Sequence, residues 1–331
     1  MGFSFKPDCI AFKCDLVESN WLLKTWPNNS LTEFFIKFKG SASHNLFKAT
    51  ATPLPSTYPS PYPEDVLMSL GTGKASQVLG QMTAYAMLIM GTQYRTHTFS
   101  VLIVKDIARL LQWDCSGAVI TKPFPYNNES YLFDFLFHYN HAGPNKHGHD
   151  VTVRDSTNTE QQDAQTIVDE LKDVEHLVTV SMLQQDYVIC APCAQAEIPV
   201  GRWTQTSVTY HCQEKQHVFF KDSWQVLHPD VTLEGDIYFM LWELNVSNVP
   251  SCLAYGDIGN ETYHNTWIHK FVRLTNKPAS KTITHYRHYH LVLDTVGREL
   301  TSFTSSKELV SAIHASLIGK YIDSYQRITV F

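Results

Sequence analysis

Two hydrophobic rhythms alternate along the first part of the chain. Thr32–Phe38 (TEFFIKF) has strand-like alternation, and Thr98–Val104 (TFSVLIV), rich in β-branched and apolar residues, reads as a buried strand. Between them Leu79, Met82, Ala86 and Ile89 share one face at helical spacing, which predicts a helix over about 76–90. Ile107–Trp113 and Ala118–Thr121 flank Asp114-Cys115-Ser116-Gly117, the turn chemistry of a hairpin. Leu132–Tyr139 predicts an aromatic-rich helix, and the proline-rich stretch 53–63 (PLPSTYPSPYP) predicts an extended loop.

Residues 142–163 are polar and turn-rich, which predicts a linker between an N-terminal α/β domain, 1–141, and a second domain, 164–331. In the second domain a short amphipathic helix near 164–174 precedes four strands, at 177–182, 187–190, 206–211 and 217–221. A helix over about 231–244 follows, then a strand or two. After a polar excursion over 256–281 come a strand at 285–293 and a long helix at 306–326. The fold class is α+β.

Composition narrows the function. With 44% hydrophobic and 18% charged residues in 331, the chain has the make-up of a globular protein rather than a disordered one. A net charge of −6, from 26 basic and 32 acidic residues, gives no basic excess for nucleic acid and no clear nucleic-acid partner. The longest apolar run, Ala84–Met90, is far too short to cross a bilayer. Met1–Ile10 lacks the pattern of a signal peptide, and Lys6 stands where a myristoylation signal has Ser or Thr. Seven scattered cysteines suit a reducing compartment. An intracellular protein of cytoplasm or nucleus is expected, and the sequons at Asn28, Asn128, Asn245 and Asn260 carry no weight there.

The chemistry centres on one pair. Val218-Phe219-Phe220-Lys221 ends a strand, and Glu234 opens the next helix. In kinases a strand lysine holds the α- and β-phosphates of ATP, and a helix glutamate fixes that lysine. An exposed strand end and a solvated helix face would supply the same two residues, so the pair alone does not decide.

Further residues do. Gly80-Gln81 with Tyr85, Tyr94-Arg95-Thr96-His97-Thr98-Phe99, and Trp113-Asp114 with Ser116-Gly117-Ala118 come first. Val200-Gly201-Arg202 with Thr204, Phe220-Lys221-Asp222-Ser223-Trp224 and Glu234-Gly235-Asp236-Ile237-Tyr238 follow. Asp294-Thr295-Val296-Gly297-Arg298 and Ser306-Lys307-Glu308-Leu309-Val310 complete the set. On these, over roughly 64–327, the chain resembles the fungal-type protein kinase family. The resemblance implies a kinase-like small lobe and, at family level, ATP-dependent phosphorylation of protein hydroxyls with Mg²⁺. It implies an ATP site from Gly201, Arg202, Thr204, Lys221 and Glu234, with a hinge at Asp294–Val296 (Asp294 and Val296) whose backbone holds the base.

Two departures temper that expectation. The family's phosphate loop reads Gly-Arg-Gly-Thr, and Trp203 replaces its second glycine, so ATP binding is expected to be weak or absent. The family continues into His-Arg-Asp, whereas this sequence ends at Ile328-Thr329-Val330-Phe331. A small lobe followed by the first helix of the large lobe and truncated there is therefore expected, catalytically inactive, with no catalytic residue of its own. The alternative is a pseudokinase or interaction module that self-associates or takes a protein partner through the uncovered lobe surface.

The N-terminal half also resembles the PD-(D/E)xK nuclease layout, with Pro7-Asp8, a strand ending Ile36-Lys37-Phe38-Lys39, and a helix carrying Gln81 and Tyr85. Lys37 stands where a metal-binding carboxylate is required, so Mg²⁺ should not bind. His138, His141, His147 and His149 have metal-like spacing with no carboxylate set to complete a site, and His285, His288 and His290 cannot all face one side of a strand. The lone pair Cys190 and Cys193 makes neither a zinc site nor a redox motif. No metal site is expected.

Overall fold

Adjacent buried residues along a strand mean that both faces of its sheet are covered, and the first sheet is built that way. The computed structural model describes residues 7–12, 31–45, 47–49, 68–70, 73–172, 174, 176–190, 199–259, 264–268, 283–297 and 300–325. The proline-rich stretch 53–63, most of the 256–281 excursion and Cys193 lie outside them. The chain divides into two compact units. One comprises Met1–Val151, Pro192–Arg202 and Asn265–Tyr286; the other comprises Thr152–Ala191, Trp203–His264 and Arg287–Phe331. No helix among the described residues is long and apolar enough to cross a membrane.

The first unit holds strands β1 (Cys9–Ala11), β2 (Phe34–Lys39), β3 (Phe47–Ala49), β4 (Met68–Leu70), β5 (Thr98–Val104), β6 (Ile107–Asp114), β7 (Gly117–Ile120) and β8 (Phe124–Pro125). Its longer helices are α1 (Gly73–Thr92) and α2 (Tyr131–His141). The main sheet runs β1-β2-β5-β6-β7, with β8 on β6. β2 and β5 are parallel, in register Phe34↔Phe99 through Lys39↔Val104, and α1 lies between them in sequence. Phe35 packs edge-on to Tyr85 of α1, with ring centroids 5.4 Å apart, while Phe34 points to the other face and meets Phe135 and Tyr139 of α2. Two covered faces explain the apolar run Val101–Val104 of β5. The expected hairpin is the antiparallel pair β6–β7, turning at Cys115-Ser116.

Past α2 the chain returns to this sheet through a glycine. Gly148 has φ +96°, and a Cβ there would collide with the His97 carbonyl. The close approach lets Thr96 N–H donate to the Gly148 carbonyl and Asp150 N–H to that of Tyr94. It also delivers His147 and His149 to Glu33, a buried carboxylate just before β2. His149 Nε2 lies 3.0 Å from one oxygen of Glu33; Arg95 Nη2 (3.3 Å) and the Tyr139 hydroxyl (2.9 Å) reach the other. His147 Nδ1 is 3.4 Å away. The expectation that no carboxylate meets these loop histidines is thus corrected: Glu33 comes from over a hundred residues earlier. His138 and His141 stay exposed on α2.

The second unit holds β9 (Val153–Asp155), α3 (Asn158–Ile167), β10 (Leu177–Met182), β11 (Gln185–Cys190), β12 (Gln205–His211), β13 (Gln216–Val226), α4 (Glu234–Glu243), β14 (Cys252–Asp257), β15 (Tyr286–Leu293) and α5 (Ser306–Tyr325). Its sheet runs β14-β15-β13-β12-β11-β10-β9. The helix expected at 164–174 begins earlier, because Thr157 and Glu160 form a capping box: the Thr157 side chain accepts from Glu160 N–H, and Glu160 accepts from Thr157 N–H. Ala164 and Val168 then pack with Leu171, Leu177, Val188 and Tyr210. His285 falls just outside β15.

Burial alone would raise the pKa of Glu33, but the His149 hydrogen bond and the Arg95 charge outweigh it and bring it from 4.5 to about 2. A depressed carboxylate stabilises the fold above its unfolded pKa and loses that contribution as pH falls. Relative to Glu33→Gln, the wild-type chain should therefore lose stability between about pH 4.5 and about 2, measured by urea unfolding across that range. Parallel pH profiles for the two proteins would contradict this. Arg95→Met, which strands the carboxylate, should cost about 3–5 kcal/mol.

Candidate functional site

Strand parity decides what β13 can present. Successive side chains alternate between faces, so Lys221 and Asp222 point to opposite sides of the sheet. The Lys221 side is the one covered by α4, where Tyr289, Leu291 and Leu293 of β15 pack with Phe219, Leu233, Tyr238 and Tyr255. There Lys221 Nζ lies 2.6 and 2.8 Å from the two oxygens of Glu234, the first residue of α4. Both side chains are about four-fifths buried. Glu234 and Asp236 also stand in the first turn of α4, where the helix dipole favours carboxylates.

What aims Glu234 is the residue after it. Gly235 is buried, and a Cβ at that position would run into the Tyr255 ring of β14. Its N–H donates to the Tyr289 hydroxyl of β15 at 2.8 Å, and the Tyr255 hydroxyl donates to Asp236 Oδ1 at 2.7 Å. Burial pushes the pKa of Tyr289 up, keeping its phenol protonated. Glycine is therefore required by close approach, and the first turn of α4 is held by two tyrosines from neighbouring strands.

Between β11 and β12 the chain passes through Gly201-Arg202-Trp203-Thr204. Gly201 has φ +151° and Trp203 φ +40°. Left-handed backbone suits glycine and costs an L-residue roughly 1–2 kcal/mol. The backbone at Trp203 thus adopts a glycine-like conformation while carrying an indole, whose Nε1 is buried without a hydrogen-bond partner among the described residues. Arg202 and Thr204 are exposed.

β15 ends at Leu293, and the chain turns at Asp294. The Asp294 carboxylate accepts from Ser251 N–H (2.9 Å) and from the Thr295 hydroxyl (2.8 Å), and Asp294 N–H donates to the Ser251 carbonyl. Its side chain therefore fastens the strand end to the start of β14. Of the expected ATP-site residues, Lys221 and Glu234 are in contact; Gly201, Arg202, Thr204, Asp294 and Val296 lie in the two connections leaving β11 and β15.

Two further clusters carry charge. In the first unit Lys37 Nζ sits 3.2 Å from both oxygens of Asp8, and Phe38 N–H donates to the same carboxylate at 2.7 Å. The ammonium also lies 5.9 Å from the centre of the Tyr85 ring. The charge of Asp8 is answered by a lysine. In the second unit, behind Lys221, Asp222 Oδ1 lies 2.6 Å from His288 Nε2, and Oδ2 lies 3.7 Å from His290 Nε2. Burial raises the pKa of Asp222, but the two imidazoles outweigh it and hold it well below the usual carboxylate range. Sequence reasoning passed over this trio. Two of the three strand histidines do share a face, being two residues apart, and their carboxylate comes from another strand.

A family model described as fungal protein kinase matches residues 64–321, most of the chain. The chain belongs to the fungal protein kinase family. No curated protein and no solved structure matches it. The matched span contains Lys221, Glu234, the 201–204 loop and the 294–296 turn, together with α1, β5 and β6 of the first unit.

Helix propensity favours alanine over glycine by about 1 kcal/mol, so Gly235→Ala would stabilise a free-standing helix. Here the contact with Tyr255 should reverse the sign and cost about 1–3 kcal/mol. Tyr289→Phe, which leaves the Gly235 N–H without its acceptor, should cost a similar amount. Urea unfolding of the two variants reads both, and a Gly235→Ala protein as stable as the wild type would refute this account of how α4 is docked.

Proposed function

We propose that the second unit is a nucleotide-binding small lobe of the protein-kinase type, in which Lys221 engages the α- and β-phosphates of ATP and Glu234 holds it in position. The observation that carries this reading is the two-oxygen pairing of Lys221 with the first residue of α4, docked by Gly235 and the two tyrosines. The order of elements supports it. Strands β11, β12 and β13 come first, then α4, then β14 and β15, and β15 pairs beside β13 with β14 outside. In kinases a lysine on the third such strand pairs with a glutamate on the following helix.

The residues present fit the charge of a triphosphate better than its close approach. An ammonium already oriented by a carboxylate is suited to neutralise phosphate oxygens. Trp203 fits less well: glycine lets backbone N–H groups come close to phosphate, and Trp203 adds a Cβ and a ring at its position. At the hinge, Asp294 N–H is spent on Ser251, which leaves the Asp294 carbonyl and the Val296 N–H as the groups to meet the base. When bound, ATP supplies the phosphoryl group and Mg²⁺ its charge neutralisation; no residue here is assigned to the metal. The sequence contains no His-Arg-Asp, and no general base is assigned. Our reading is therefore that these residues bind nucleotide weakly and do not themselves transfer its phosphoryl group.

A thermal-shift titration with ATP tests the proposal. The wild-type chain should be stabilised, Lys221→Met should lose at least about tenfold in affinity, and Trp203→Gly should gain affinity while relieving the left-handed strain. An ATP shift of equal size in wild type and Lys221→Met would overturn it.

A second reading, an interaction module, rests on a separate observation. Val310, Ile313 and Leu317 are exposed at i, i+3 and i+7 on one face of α5, and Phe239 and Trp242 are exposed on α4. An apolar stripe of this kind favours self-association or a protein partner. Light scattering should show concentration-dependent association that Ile313→Glu reduces; a wild-type chain that stays monomeric at high concentration would refute this reading. A metal-dependent nuclease in the first unit would need Asp8 to hold Mg²⁺, and Lys37 already occupies that carboxylate.

A further inference from the structure

The two buried carboxylates that face pairs of histidines differ in what neutralises them. Glu33 has Arg95 at 3.3 Å and a tyrosine hydroxyl as well as its imidazoles, so a fixed positive charge is built in. Asp222 has none. Among the described residues its charge and hydrogen-bond partners are His288 and His290 alone, and its side chain is only 14% exposed. Burying an anion is costly unless a cation comes with it. A proton on an imidazole can supply that cation, and so can a metal ion, because two imidazoles and a carboxylate are a ligand set.

The geometry also admits an ion. One ligand atom from each of Asp222, His288 and His290 falls within 4.8 Å of the others. Bonds of 2.0–2.2 Å in a tetrahedral site put neighbouring ligand atoms roughly 3.3 Å apart. His288 Nε2 lies 2.6 Å from Asp222 Oδ1 and His290 Nε2 lies 3.7 Å from Oδ2, so the carboxylate stands between the two imidazoles with one spacing on either side of that value. His288 is oriented as metal-bound imidazoles usually are, by its other ring nitrogen. Its Nδ1 lies 3.2 Å from His264 Nδ1, and its ring stacks on Trp224 at 4.9 Å. The imidazole nitrogens select an ion of borderline softness over Mg²⁺ or Ca²⁺, which prefer oxygen.

We propose that Asp222, His288 and His290 form a zinc-type site, with water as the fourth ligand, on the face of the sheet opposite Lys221. Binding displaces the proton between Asp222 and His288 to solvent and forms bonds to one oxygen and two Nε2 atoms. The ion ties β13 to β15, the strand that carries Lys221 to the strand that leads into the Asp294 turn.

The test uses the full chain, stripped of metal and titrated with Zn²⁺ alone by calorimetry. One equivalent should bind, and Asp222→Asn and His290→Gln should each weaken it by at least about 100-fold. His176→Ala, at an exposed histidine beside Asp155, should leave binding unchanged. X-ray absorption of the Zn²⁺-loaded wild-type chain should report imidazole nitrogens and carboxylate oxygen, a readout that survives if a buried variant fails to fold. Absence of one-to-one binding, equal affinity in the Asp222 and His290 variants, or sulfur ligands on the ion would each overturn the proposal.

Discussion

Taking an ammonium and a carboxylate out of water costs about as much as their mutual attraction returns, so the largely buried Lys221–Glu234 pair adds little net stability. The Lys221–Glu234 pair cannot therefore be what fixes α4 against the sheet. The dependence runs the other way. A glycine that admits a tyrosine ring, and a backbone N–H that finds a buried phenol, hold the first turn of α4 over β14 and β15. The glutamate at its first position is then delivered to the lysine. A pair held in this way can give up part of its interaction to a phosphate without loosening the fold, which is what a binding lysine requires.

The same strand serves two faces. Because Lys221 and Asp222 are adjacent, strand parity sends the ammonium toward α4 and the carboxylate toward His288 and His290. β15 repeats the division, with Tyr289 on the α4 side and the two histidines behind it. The two strands are therefore joined by polar contacts on one face and aromatic packing on the other. Trp203 belongs to a different constraint. Its loop holds a non-glycine residue in a backbone suited to glycine, so the strain is confined to a connection and leaves the sheet undisturbed.

Elements set by local periodicity were legible. The residues of β5, the β6–β7 hairpin, α2, β10, β12, α4, β15 and α5 follow from alternation, helical spacing and turn chemistry, with ends displaced by a few residues. The Lys221–Glu234 contact was legible only through the resemblance, because a strand end and a helix start can carry the same two residues without bringing them together. Contacts that depend on long-range register were not. Glu33 meets His149 across more than a hundred residues through a turn that only Gly148 permits. Asp222 meets His288 because β15 inserts beside β13, which no local pattern announces. Nor does composition reveal that residues 199–202 and 265–268 return to the first unit. The need for glycine at 235 is invisible in sequence for the same reason, since Tyr255 and Tyr289 arrive from later strands.

The most direct test of the central claim is a double-mutant cycle on ATP affinity with Lys221→Met, Glu234→Gln and the combination. If Glu234 acts by holding Lys221, its replacement should weaken binding in the wild-type background and cost almost nothing once the lysine is gone. Additive losses, or a wild-type chain with no measurable affinity for ATP, would contradict the account.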